Sequence, residues 1–129
     1  MAKAHARIET QNYLTHITSG SHTLDADEPA LLGGQGAGFA PYDLLVSSLG
    51  ACTAITLRMY AERKQWPLSA VEVDLHLTKD GDRTKIERII ALEGPLSDEQ
   101  KARLADIAER TPVTLTLKTG ADITTSLKS

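Results

Sequence analysis

The sequence predicts one domain that mixes strands and helices, because alternating strand patterns lie on both sides of a single long apolar helix. The chain has 129 residues, a length that suits one compact domain spanning 1–129. The order of its patterns indicates an N-terminal β-meander, a long central helix, a β-hairpin, a second helix and a C-terminal strand.

Composition excludes some function classes. The 14 Lys and Arg residues against 17 Asp and Glu give a formal charge of −3, which argues against general affinity for nucleic acid or an anionic membrane. The N-terminal residues lack the pattern of a secretory signal, so we expect a cytoplasmic protein. The longest uncharged apolar stretch, 44–57, has 14 residues. That is shorter than the roughly 20 needed to cross a bilayer, so it predicts a buried helix.

The meander is predicted over residues 3–26, with turns at Gln11-Asn12 and Gly20-Ser21. Two-residue turns would place Arg7, His16 and Asp25 side by side across the three strands. The simpler interpretation of this polar row is a solvated sheet face. If the row instead faces a partner helix, Arg7 becomes a candidate for the active site.

The segment 27–39 contains four of the nine glycines and no regular period, which predicts a mobile loop or flexible lid. Its GGQGAG run, 33–38, superficially resembles a phosphate-binding loop. The run lacks the Lys-Ser/Thr ending and the preceding buried strand, so we predict no nucleotide site there.

The central helix is predicted at about 41–65, with Pro41 in its first turn, Asp43 at its positive end and Trp66-Pro67 after its last turn. Small residues fill its middle, and Gly50 predicts that another backbone approaches closely there. Apolar residues on nearly every face indicate a helix at the centre of the structure.

The second half of the chain carries the clearest strand signals. Alternation from Val71 to Leu77, followed by Asp80-Gly81, predicts a hairpin whose second arm, about 84–93, has Ile86, Ile90 and Leu92 on one face. Ser97 and Gln100 have the spacing of a capping box that opens a helix at about 97–110. A short final strand is predicted at about 121–127.

The run GFAPYDLLVSSLGACTAITLRMYAERKQWPL, 38–68, resembles the cysteine-bearing central helix of the OsmC/Ohr family, particularly its OsmC-like branch. The order of the remaining elements is similar too. The resemblance implies an α+β fold, built as an intertwined homodimer with its active sites at the subunit interface. It also implies a thiol peroxidase that reduces organic hydroperoxides, whose first cysteine matches Cys52.

In that family the first cysteine becomes a sulfenic acid and a second cysteine condenses with it, assisted by an arginine and an acidic residue. The candidate catalytic residues are therefore Cys52, Asp43 and Arg7, the last as a substitute for an arginine expected at Leu14. The resolving Cys-Pro-Val-His segment is replaced by Thr111-Pro112-Val113-Thr114, so the second thiol and its histidine are missing.

Two functions stay open. The chain could be a one-cysteine peroxidase whose sulfenic acid is resolved by an external thiol reductant. It could instead be a catalytically degenerate relative that binds an apolar small molecule or has a structural or interaction role. Cys52 is equally explained as a small apolar residue at a helix crossing. Arg58 is most simply an ion-paired or snorkelling residue. The four histidines have no metal-ligand spacing, and we predict neither metal nor cofactor.

Overall fold

The computed structural model describes residues 1–128 and confirms the α+β class. Two compact units are separated at Val46, namely Met1–Val46 and Ser47–Ser129. The elements are β1 His5–Ile8, β2 Thr15–Ser19, β3 His22–Ala26, α1 Pro41–Lys64, β4 Ala70–Asp80, β5 Arg83–Glu93, α2 Asp98–Ala108 and α3 Pro112–Thr119. The assignment of 1–129 to one domain remains a prediction.

The first unit contains the antiparallel sheet β1-β2-β3. Its register places Arg7 opposite His16 and His16 opposite Asp25, which confirms the predicted polar row. The His16 Nδ1 lies 2.6 Å from Asp25 Oδ1. All three side chains are exposed, as expected for a sheet face open to solvent in this chain.

The segment 27–39 is organised by one buried carboxylate, a feature that the prediction of a mobile loop missed. The Asp27 side chain accepts hydrogen bonds from the backbone N–H groups of Tyr13, Glu28, Gln35 and Ala37. These bonds, that from Ala37 first, hold the pKa of Asp27 below its ordinary value against the opposing effect of burial. Two amides of the glycine-rich run therefore already bind an internal anion.

Helix α1 has 24 residues and buries one row of side chains at four-residue spacing: Leu49, Thr53, Leu57 and Ala61. The expectation of a helix surrounded on all faces is wrong for the single chain, because Ile55 and Met59 are 58% and 57% exposed. A Cβ at Gly50 would lie 2.8 Å from Leu75 Cδ1. The small residue therefore admits a side chain of β4, whereas the sequence had predicted a neighbouring backbone.

The second unit contains the β4-β5 hairpin, α2 and α3. Asp80 pairs with Arg83, so the hairpin turn consists of Gly81 and Asp82. Leu57, Leu104 and Ala108 form the buried core, against which apolar side chains of both strands pack. Ser97 caps α2 through the predicted capping box with Gln100. Leu57, in the buried row of α1, is thus covered by the hairpin and α2.

The predicted C-terminal strand at 121–127 does not form: the described residues 120–128 contain no regular element. Ile123 and Leu127 are 86% and 95% exposed. A strand needs a neighbouring strand for its backbone hydrogen bonds, and none of the described strands pairs with this segment. The prediction of a final strand is therefore wrong for the described residues.

By length and mean hydropathy, α1 is the one described helix that could cross a membrane. The core helix of a soluble protein passes the same test. Leu57 of α1 belongs to the buried core. The length and composition of a single helix are weak evidence for a membrane span.

Candidate functional site

One largely buried arginine connects several elements of the second unit. Arg88 lies on β5 and its side chain is 12% exposed. Its Nη1 donates to Thr53 Oγ1 of α1 and to Thr114 Oγ1 of α3, each at 2.9 Å, and its Nη2 donates to the Ala108 carbonyl oxygen at 2.9 Å. One guanidinium therefore links a strand to three helices.

Its only ion-pair partner among residues 1–128 is Glu109, whose Oε2 lies 3.5 Å from Nη2 and whose side chain is 61% exposed. Glu109 also contacts Lys118 Nζ at 3.3 Å. The positive charge of Arg88 is thus fixed by neutral hydrogen-bond acceptors, with a distant and shared counter-ion. Buried cations usually have closer compensation than this.

Thr114, which accepts from Arg88, and Thr111, which contacts Thr114, stand at the two positions that the family resemblance assigns to the resolving cysteine and its histidine. Thr111 is fully buried, and its Oγ1 lies 2.6 Å from Thr114 Oγ1. Pro112 begins α3 directly after Thr111, in the helical position where proline is favoured. Thr111 and Thr114 are therefore packed as a structural pair with no thiol.

Sequence reasoning missed Arg88, although a signal was present. In β5 the inward positions are Ile86, Arg88, Ile90 and Leu92, all partly buried, and their neighbours are exposed. A charged residue in the middle of an apolar face predicts a specific partner inside the protein, because an unpaired buried charge is costly. The partners themselves could not be predicted, since Thr53 and Thr114 are distant in sequence.

Cys52 lies in α1 beside this cluster but does not contribute to it through any described contact. Its side chain is partly exposed, and its Sγ lies 3.9 Å from Thr56 Oγ1, one turn later. The next residue, Thr53, contacts Arg88. Cys52 therefore borders the buried row of α1, and it is not enclosed in the core.

The other two predicted catalytic residues belong to the first unit, so a joint role with Cys52 stays a prediction. Arg7 Nε lies 3.1 Å from Glu9 Oε2, and both side chains are exposed. Asp43 Oδ2 accepts a hydrogen bond from the Ala40 backbone N–H at 3.3 Å, which stabilises the start of α1. Each has a structural partner of its own.

Two further observations define what the site contains. Arg58 pairs with Glu62 and donates to the Leu68 carbonyl, which confirms the interpretation as an ion-paired residue. Within residues 1–128 no group of three or more His, Cys, Asp or Glu side chains is arranged to hold a metal ion. The chemically distinctive groups are thus one thiol and one buried cation.

The fold and this site define a class: an α+β protein with a cysteine-bearing central helix packed on a hairpin, whose second helix leads to a short third one. The model of the OsmC-like protein family matches residues 34–126. The chain belongs to the OsmC-like family. That match includes α1, the hairpin, α2 and α3.

Solved structures agree with this fold. The OsmC-like protein of Mycoplasma pneumoniae superposes with a TM-score of 0.79 at 18% identity, covering 92% of this chain and 87% of its own. An organic hydroperoxide resistance protein OsmC of Legionella pneumophila gives 0.68 at 22% identity, covering 92% and 89%. The organic hydroperoxide resistance protein OhrB of Bacillus subtilis gives 0.59 at 27% identity, covering 90% of each chain. No curated protein sequence matches the chain.

Proposed function

We propose that this chain is a one-cysteine thiol peroxidase that reduces organic hydroperoxides through Cys52. The observation that carries the proposal is the position of the only thiol: it is partly exposed, within the segment that matches the OsmC-like family. Similar folds include proteins named for organic hydroperoxide resistance. The family match and these similar folds support a role in peroxide chemistry or in the stress response, which agrees with the proposed activity.

The proposed cycle uses one thiol of the protein and two external ones. The Cys52 thiolate attacks the terminal oxygen of ROOH, the O–O bond breaks, and the products are a sulfenic acid and, after protonation, the alcohol ROH. A thiol R′SH then condenses with the sulfenic acid, releasing water and leaving a mixed disulfide. A second R′SH attacks that disulfide, regenerates Cys52 and leaves as R′SSR′. A cytoplasmic location would supply such thiols.

A homodimer is the second part of the proposal. Ala51, Ile55 and Met59 form an exposed apolar row along α1 at four-residue spacing. Monomeric soluble proteins seldom leave large contiguous apolar patches uncovered. A second copy of this chain would cover the row, in keeping with the interface expected from the family resemblance. Cys52, which follows Ala51, would then lie at or near that interface.

The test is mass spectrometry and turnover with cumene hydroperoxide. We expect a single oxygen adduct at Cys52, trapped by a sulfenic-acid reagent, and peroxide consumption that depends on added thiol and vanishes in Cys52→Ser. Met59→Leu is the matched control, since Met59 is the other exposed sulfur of α1 and forms a sulfoxide that could be misassigned. Absence of any adduct at Cys52 in the folded protein would reject the proposal.

A second candidate function is favoured by the threonine pair. Because Thr111 and Thr114 are hydrogen-bonded to each other where relatives are expected to carry a thiol and a histidine, the chain also fits a binding protein without peroxidase activity. An apolar depression of about 330 Å³ beside Ile55 and Met59 is its candidate site. Thermal stabilisation by decanol, without consumption of peroxide, would favour this function over the first.

A further inference from the structure

A cavity of about 540 Å³ lies within the second unit, between the end of β5 near the hairpin turn and helix α3. Its volume is in the range of small-molecule pockets, and its apolar wall is formed by Leu49, Ile86 and Leu117. Cys52 does not line it. The cavity is therefore separate from the thiol on which the proposed peroxidase activity depends.

The charges around the cavity are mainly positive, although the whole chain is negative. Arg83, Arg88 and Lys118 line it together with a single acid, Glu109. That carboxylate is shared between Lys118 at 3.3 Å and Arg88 at 3.5 Å. The exposed side chain of Arg83 makes no described ion pair or hydrogen bond within residues 1–128. Three cations thus line a cavity with one carboxylate, which pairs with two of them, in a protein whose formal charge is −3.

The guanidinium of Arg88 is held in position before any ligand arrives. Thr53, Thr114 and the Ala108 carbonyl fix it through three bonds of 2.9 Å, so its orientation is set by three separate helices. A fixed guanidinium loses little conformational freedom when it binds an anion. Both N–H groups of Nη1 and one of Nη2 are donated to the protein, so an anion would take the Nη2 contact with Glu109, which is long at 3.5 Å. The weakly compensated charge of Arg88 would bind an anionic group of a ligand. The apolar wall would bind an apolar part of the same ligand.

We propose that this cavity binds a small organic carboxylate with an apolar body. Its carboxylate would contact Arg83, Arg88 and Lys118, and its body would pack on Leu49, Ile86 and Leu117. Glu109 would compete with the ligand for the same cations and would therefore lower the affinity of the site for the ligand. The inference is independent of the redox chemistry at Cys52.

The test is calorimetric or NMR titration of the full chain with benzoate, using neutral benzamide and inorganic phosphate as comparison probes. We expect saturable binding of benzoate that weakens with added salt, and much weaker binding of benzamide. Phosphate binding equal to that of benzoate would show a general anion site and overturn the part of the proposal that concerns the apolar wall.

Four variants sharpen the test. Arg83→Gln and Lys118→Gln should each weaken benzoate binding about fivefold, the factor expected for losing one exposed ion pair. Glu109→Gln should strengthen it by a similar factor, an effect that simple destabilisation of the protein cannot produce. Lys101→Gln, which removes an exposed charge of α2 outside the cavity, should leave binding unchanged. Equal affinities across all four variants would refute the site.

Discussion

Replacing Arg88 by methionine tests whether the buried guanidinium holds the second unit together. Arg88→Met keeps a long side chain of similar shape but removes the donors to Thr53, Thr114 and the Ala108 carbonyl. Hydrogen bonds to a charged group are worth about 1.5–3 kcal/mol each. Adding the contributions of these three hydrogen bonds would therefore give a loss of several kcal/mol in the free energy of unfolding.

The expected loss is smaller for two reasons. Thr53 still donates to the Leu49 carbonyl at 2.7 Å, and Thr114 keeps its contact with Thr111 at 2.6 Å, so neither hydroxyl is left without a partner. The variant also removes a cation whose burial is itself unfavourable. We therefore expect a decrease of about 2–3 kcal/mol in the free energy of unfolding. For a chain of this length, this corresponds to a decrease of about 8–12 °C in Tm.

The assay is urea unfolding followed by circular dichroism, at two protein concentrations so that any effect of self-association is separated from folding. Arg83→Met is the matched control on the same strand. Because Arg83 is exposed, its replacement should lower the free energy of unfolding by less than about 0.5 kcal/mol. Arg88→Lys should fall between the two, since lysine keeps the charge but lacks the forked donors. A loss in Arg88→Met no larger than that of Arg83→Met would refute the reasoning.

Three further predictions concern other parts of the chain. Thr111→Cys should form an intramolecular disulfide with Cys52 under mild oxidation, detected by non-reducing peptide mapping, if their Cα atoms lie within about 7 Å. Because the pKa of Asp27 is lowered, the stabilisation it provides is present above the ordinary pKa of an aspartate and is lost as the pH falls through the lowered value. The amide signal of Ala37 should therefore shift with a midpoint below about pH 4. Leu57→Ala should cost about 2–5 kcal/mol in urea unfolding, since Leu57 is fully buried in the core.

Each of these predictions has a matched control. Thr116→Cys, on an exposed position of α3, should give no intramolecular disulfide, and failure of the Thr111 variant under all conditions that keep the fold would contradict the alignment with the family. Asp27→Asn should abolish the acid shift of the loop amide, and persistence of the shift would assign it to another group. Leu127→Ala should be nearly neutral because Leu127 is exposed, and a similar loss in both leucine variants would contradict the assigned core.

Local signals predicted much of the fold. The period of two in the hairpin, the capping box at Ser97 and the helix beginning at Pro41 depend on neighbouring residues, and the structure confirms all three. The tail at 121–127 has no strand partner among the described strands, and the presence of a partner depends on distant segments that a local pattern cannot reveal. Asp27 was missed for a related reason, because its partners come from both sides of a loop that has no period.

The candidate site likewise contains one residue that the sequence predicted and one that only the structure revealed. Family resemblance predicted Cys52 as the candidate thiol from the sequence around it, a role that stays a prediction, and it showed that Thr111 stands where a second thiol is expected. It did not identify Arg88, whose partners lie 20 to 35 residues away in the chain. Residues whose role depends on their own segment were accessible from the sequence. Residues whose role depends on three converging helices required the structure.

The lone thiol has a consequence for oxidative damage. The Thr56 hydroxyl, 3.9 Å from Cys52 Sγ, can form a hydrogen bond to an oxidised sulfur but cannot reduce it. No second cysteine exists in the chain to protect a sulfenic acid as an internal disulfide. The lifetime of that species would therefore depend on the concentration of thiol in solution. When thiol is scarce, further peroxide would convert it to the irreversible sulfinic acid. Under the proposed peroxidase activity, each protein molecule would then be inactivated by its own substrate.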